Sequence, residues 1–168
     1  MSSVDIQKQT IMKQLLIIQA KPNPLGKDRV LNFIPQSQLA GEWVDFKNSG
    51  NENYSLENIK LHHIAYTTKY PNGVWEEVMG FRGILSVGEV VRVHSGGQVP
   101  LTSLNQVDLT GANYHLFTGK NYVWNNRRGD SPRLVWQENI ETIELDKASY
   151  LASSPEGKIL ARSGNYLI

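Results

Sequence analysis

The apolar positions along the chain come in short alternating runs rather than in helical periods. Leu15-Leu16-Ile17-Ile18 leads to Ala20, and Lys21-Pro22-Asn23-Pro24 then stops any regular element, because proline removes a donor and fixes φ. Gly41-Glu42-Trp43-Val44-Asp45-Phe46-Lys47-Asn48 alternates with a period of two, with Trp43 on the side opposite Val44 and Phe46. Further strands are predicted at 59–68, 74–81, 89–93, 114–117, 122–124, 132–137 and 140–145, and a segment at 29–34 is a weaker candidate. Val91 and Val93 alternate with Arg92, and Ile143 and Leu145 with Glu144, as in half-buried strands. Asn48-Ser49-Gly50-Asn51, Tyr70-Pro71-Asn72-Gly73 and Gly96-Gly97 are turn signals. Residues 98–113 read as a long polar insertion. No amphipathic helix longer than two turns and no internal repeat is apparent. Short strands with turns about every ten residues predict an all-β, immunoglobulin-like antiparallel β-sandwich.

Length and composition sharpen this picture. A chain of 168 residues, 40% hydrophobic, suits one domain able to bury a core without metal or disulfides. Cysteine is absent, which excludes disulfides, Cys-ligated zinc and thiol nucleophiles. The expected organisation is an N-terminal arm over 1–12, the sandwich over 13–151, and an extension over 152–168 that docks as an extra strand through Ile159, Leu160, Tyr166, Leu167 and Ile168. Apolar runs are too short to span a bilayer or to serve as a secretory signal, so no membrane insertion is expected. The expected location is the cytoplasm, or outside the cell if the chain is a processed form.

Four blocks, taken in order, carry a resemblance to a known family. They are Asn23-Pro24-Leu25-Gly26-Lys27-Asp28; Gly41 through Gly50 with its Gly-Glu-Trp-Val start; Leu85 through Gly96; and Tyr122-Val123-Trp124-Asn125-Asn126-Arg127-Arg128-Gly129-Asp130-Ser131-Pro132-Arg133-Leu134. Together they resemble the lamin-tail domain, an immunoglobulin-like sandwich, over about residues 13–150. Asn58-Ile59 stands where that family often has Gly-Trp, and the loops around 29–40, 66–80 and 97–115 are longer than usual. With no heptad pattern of a lamin rod, the bacterial members are the better match. The resemblance implies a non-catalytic role: lamin tails associate with chromatin, DNA and nuclear-envelope proteins, and bacterial members accompany nucleases or surface and secreted enzymes.

Net charge is +1, so attraction to nucleic acid would need a local patch. Residues 119–134 supply one: Lys120, Arg127, Arg128 and Arg133 against Asp130. Glu138, Glu141, Glu144 and Asp146 against Lys147 follow directly and offer partners for those cations. Arginine forks suit phosphate or carboxylate, and Tyr114, Phe117, Tyr122 and Trp124 offer stacking surfaces. Residues 125–130 read first as a turn, since Asn bonds its own backbone and Gly accepts positive φ. The predicted core comprises Trp43, Val44, Phe46, Val91, Val93, Trp124 and Leu134. Glu42 needs a partner if buried: either Lys27 or Arg29, or it joins an acidic site with Asp28 and Asp130. His62 and His63 point to opposite strand faces and cannot share one ion, while His94 and His115 are isolated in sequence. No phosphate loop, zinc-protease motif or nucleophile elbow occurs.

Three readings follow. The first is a non-catalytic binding or scaffold module for an unknown protein partner, needing no cofactor and no metal. The second is a nucleic-acid-binding accessory domain using Lys120, Arg127, Arg128 and Arg133. The third is a small metal-dependent hydrolase, which would require converging histidines and carboxylates.

Overall fold

A computed structural model describes residues 14–26 and 33–168. The expectations for the arm over 1–12, for Lys27, Asp28 and Arg29, and for most of a strand at 29–34 lie outside the described residues.

The chain is an all-β sandwich. One sheet is six-stranded, in the order β12-β11-β1-β2-β7-β8, and the facing sheet is four-stranded, in the order β10-β9-β4-β5. The first sheet is built from β1 (Leu15–Lys21), β2 (Trp43–Asn48), β7 (Val90–His94), β8 (Tyr114–Phe117), β11 (Leu160–Ser163) and β12 (Tyr166–Leu167). The second uses β4 (Ile59–Ala65), β5 (Val74–Gly80), β9 (Arg133–Glu138) and β10 (Glu141–Lys147). A small ribbon pairs β3 (Tyr54–Ser55) with β6 (Ile84–Leu85). Pairing is antiparallel throughout the two main sheets except for β7 with β8, which is parallel.

Period-two patterning decides which side chains meet between the sheets. Val44 and Phe46 from β2, Val91 and Val93 from β7, Ile59 and Leu61 from β4, and Leu134 from β9 share one buried cluster, joined by Trp124 from a loop. Phe46 and Phe81 rings lie 4.9 Å apart within it. Asn58 has φ 63°, the left-handed region that Asn tolerates better than most residues, and Ile59 beside it is buried in the core. The β9–β10 hairpin turns on Asn139 at φ 53°, which leaves Ile140 fully exposed at the tip. The C-terminal segment contributes two strands: β11 pairs with β1, and Arg162 binds Asp146 on β10 with two hydrogen bonds of 2.7 and 3.0 Å.

Two expectations are corrected, while Trp43 is fully buried, as the predicted core has it, on the face of β2 opposite Val44 and Phe46 and so outside the cluster between the sheets. There it is covered by residues of the 98–113 insertion, which folds into a 3₁₀ turn (Leu101–Ser103) and the short helix α2 (Gln106–Leu109). β7 is not half-exposed, because the same cover buries Arg92. Residues 122–124 form no strand, because the donors of this stretch go to carboxylates instead of a ladder: Val123 N–H to Glu42 and Asn125 N–H to Asp130.

Candidate functional site

The four basic residues do not form a free cationic patch. Lys120 Nζ lies 3.3 Å from Glu76 and donates to the Glu77 carbonyl at 2.7 Å. Arg128 donates to the Pro71 carbonyl at 2.7 Å and lies over the Tyr66 ring at 4.8 Å. Arg133 contacts Glu144 at 3.5 Å and stacks on Trp75 at 3.8 Å. Trp75 and Glu76 are successive residues of β5 and point to opposite faces, so Arg133 and Lys120 are separated by the sheet. Arg127 alone of the four is exposed with no hydrogen bond or ion pair to another described residue.

The loop that carries Arg127 is held by two buried carboxyls. Asp130 accepts from Ile64 N–H at 2.8 Å, Ser131 N–H at 2.7 Å and both Asn125 nitrogens, and lies 3.1 Å from His63 Nδ1. Gly129, at φ 74°, is required beside it, since a Cβ there would meet the Tyr150 carbonyl at 2.4 Å. Glu42, between α1 (Gln36–Ala40) and β2, accepts from the Ser95 hydroxyl and from Val123 N–H at 2.9 Å. Burial pushes its carboxyl up to about 8, against the opposing pull of those donors, and nearby Asp130 adds to the rise. At neutral pH Glu42 is therefore mostly protonated. Glu42 and Asp130 each bind their own set of donors, with no hydrogen bond between them, and Asp28 lies outside the described residues. Burial also pushes the Tyr150 hydroxyl well above its usual value.

Between this loop and Pro22-Asn23-Pro24 lies a pocket of about 210 Å³, with Glu42, Trp124, Asn126 and Arg127 among its lining. Trp124 Nε1 and Asn126 Oδ1 are buried with no hydrogen-bond partner among the described residues. A wider groove of about 460 Å³ runs between β10 and β12, but its charges are already matched: Glu144 with Lys147 and Arg133, Asp146 with Arg162.

His62 and His63 separate as their strand positions require, whereas His94 and His115 come together across β7 and β8. His63 faces Asp130, whereas His62 lies 3.3 Å from Arg133. His94 Nε2 lies 2.8 Å from His115 Nδ1, and burial pulls His94 down to about 4. Among the described residues no three His, Asp or Glu side chains are grouped to hold a metal ion, and no helix is long and apolar enough to cross a membrane.

Sequence reasoning missed a second polar centre. Asp45 and Arg92 pair at 2.8 Å with both side chains buried, and Lys21 meets Asp108 at 2.5 Å. The one available signal was that Asp45, between Val44 and Phe46, and Arg92, between Val91 and Val93, alternate with core residues beside a long insertion able to cover them. No protein-family model and no curated protein matches the chain.

Proposed function

We propose that the chain is a non-catalytic binding module that recognises a protein partner at the pocket between Pro22–Pro24 and the 122–127 loop. One observation carries the reading. Elsewhere on the 119–134 stretch the cations are engaged internally, but at this pocket Arg127, Trp124 Nε1 and Asn126 Oδ1 all lack partners within the described chain. Buried polar atoms are paired in the great majority of cases, so two orphans in residues that line one pocket single out this wall; both atoms are sealed from solvent, and the group a partner meets there is the exposed Arg127. The loop itself is rigidly anchored through Asp130 and Glu42, the arrangement a recognition loop on a β-scaffold needs. The lamin-tail relationship belongs to the same proposal; its support is the order of the four sequence blocks and an all-β sandwich that accommodates them. The nucleic-acid reading is the weaker one, because Lys120, Arg128 and Arg133 would each have to break an existing contact to reach phosphate.

A photo-crosslinking residue at the exposed Leu25, beside Pro24, tests this, with one at Ile140 on the hairpin tip as control. The proposal expects a discrete protein adduct from position 25 that is lost on Arg127→Gln, and none from 140. Anisotropy titrations with duplex and single-stranded DNA at two salt concentrations are expected to show no tight, salt-sensitive binding. Such binding, lost on substituting Arg127 and Arg128 together, would replace this reading with the nucleic-acid one.

A further inference from the structure

We infer that Lys120 and Glu76 close the open edge of β5 to a second copy of this chain. β5 ends its sheet with a strand of seven residues. β8 and β12, the ends of the other sheet, are shorter, and β10 lies along β1, where Asp146 accepts the Ile17 N–H at 2.7 Å. The ladder decides which backbone groups of β5 face outward. On β4 the Asn58 C=O and the Ile64 N–H turn away from β5, toward Gln137 and Asp130, while the Ile59 C=O accepts from Phe81. His62 and Ile64 therefore bond away from β5, and the residues opposite them, Glu77 and Trp75, present their own N–H and C=O groups to the outside. An edge of this kind is a template for another strand.

Lys120 blocks the template. Its Nζ donates to the outward Glu77 C=O at 2.7 Å and lies 3.3 Å from the Glu76 carboxylate. The loop that delivers it is pinned: Gly96 N–H donates to the Lys120 C=O and Gly119 N–H to the Gly96 C=O, both at 2.7 Å. Lys120 and Glu76 are both half-exposed, and such pairs add little stability. Blocking, by contrast, accounts for an ammonium aimed at an edge carbonyl, since a lysine laid on an edge strand stops a second strand from pairing there. Glu76 is the second barrier. A two-fold pairing that uses the outward groups of both Trp75 and Glu77 sets Trp75 opposite the copy's Glu77, and Glu76 directly opposite the copy's Glu76. That central pair is of the close, non-hydrogen-bonded kind, where like charges repel. Without these two side chains, Val74, Trp75 and Val78 leave a strand of good pairing composition. The inference stands whether or not the pocket captures a partner.

The test compares the intact wild-type chain with Lys120→Met, Glu76→Thr and the double variant by sedimentation velocity, up to about 0.5 mM protein. The double variant loses one cation and one anion together, so its net charge is unchanged and cannot be what drives association. The inference expects a monomeric wild type, dimers of the double variant with a Kd of about 0.1 mM or below, and at least about tenfold weaker association of each single variant. Amide exchange locates the contact: the Trp75 and Glu77 amides of the double variant should slow as concentration rises, while that of Glu76, bonded to β4 in either state, should not change. A double variant that stays monomeric would overturn the inference, as would dimers of the wild type or a single variant that associates as tightly as the double. Dimers in which Trp75 and Glu77 exchange as in the monomer would overturn it too. Circular dichroism checks the fold; should the double variant be unfolded, Lys120→Ala with Glu76→Gln repeats the comparison at the same net charge.

Discussion

The two faces of β2 are equally dry and built in opposite ways. Toward the second sheet, Val44 and Phe46 enter an apolar cluster. On the reverse, Trp43 and Asp45 are just as deeply buried, but in an ionic layer under the 98–113 insertion. Asp45 accepts Arg92 Nε and Nη2, both at 2.8 Å, and Gln19 Nε2 at 2.7 Å. Arg92 Nη1 donates to the carbonyls of Val107, Asp108 and Thr110, and its guanidinium lies 3.6 Å above the Trp43 ring. Asp108 in turn accepts Trp43 Nε1 and Lys21 Nζ. The apolar face gains stability from area removed from water, which tolerates many residues of similar size. The ionic face gains little net energy over an apolar substitute, because desolvation offsets attraction, but losing one partner leaves a buried charge unpaired.

The largest effects should come from breaking either face singly. Phe46→Ala is expected to cost about 3–5 kcal/mol by transfer loss and cavity formation. Asp45→Ala should cost a similar 3–5 kcal/mol, roughly, because it leaves the Arg92 charge buried and unpaired. Urea unfolding at pH 7 measures both. An Asp45→Ala penalty under about 1 kcal/mol would mean that the ionic face is already hydrated.

Glu42 supplies the next test, at the loop end of the same strand. Its folded value, about 8, lies above the ordinary 4.5. Below 4.5 both states hold the proton; between 4.5 and 8 the unfolded chain releases it while the folded chain retains it, so stability declines with rising pH and levels off above 8. Glu42→Gln keeps an oxygen for Ser95 and Val123 and removes the titration. It is expected to be more stable than wild type by roughly 4 kcal/mol near pH 8, and the advantage should vanish below about pH 4.5. Chemical denaturation across that range reads the sign directly.

A smaller effect separates charge from contact. Lys21→Met alone leaves the Asp108 carboxylate buried without its cation and should cost about 3 kcal/mol or more. Lys21→Met with Asp108→Asn removes both charges while keeping an oxygen for Trp43 Nε1. The pair is expected to fall within about 1 kcal/mol of wild type, and the non-additivity between single and double variants measures the coupling.

The contrast between the faces also explains what could be read in the sequence. Val44, Phe46, Val91 and Val93 announce an apolar face by period two, and so the sandwich was legible. Asp45 and Arg92 obey the same period and look like a solvated face. Only the path of residues 98–113 over them turns alternation into burial, and no local pattern encodes that path. The basic candidates failed to form a patch for a similar reason: Lys120 and Arg133 find Glu76 and Glu144, partners 44 and 11 residues away. Tyr122 to Trp124 has strand composition, yet carboxylates from distant segments claim its donors. Glu42 was legible as a buried acid in need of partners; that these would be Ser95 and a backbone amide, rather than a basic side chain, was not.

Lys120 gives the smallest effect and the sharpest contrast with Asp45. Its ammonium reaches Glu76 and the Glu77 carbonyl from a side chain 43% exposed, against 1% for Arg92 in its pair. An exposed pair gains little because water screens the attraction and two long side chains lose freedom. Lys120→Ala should therefore cost about 0.5 kcal/mol, and that cost should disappear in 1 M salt, where the screening length falls to about 3 Å. The Asp45→Ala penalty should persist there, since mobile ions do not enter the layer beneath the insertion. Thermal melts of both variants at low and high salt make the comparison. If the two penalties fade together, the layer beneath residues 98–113 is open to solvent, and the distinction between a dry ionic face and a wet surface pair is lost; if only that of Lys120 fades, the insertion is what makes the polar face of β2 a second interior.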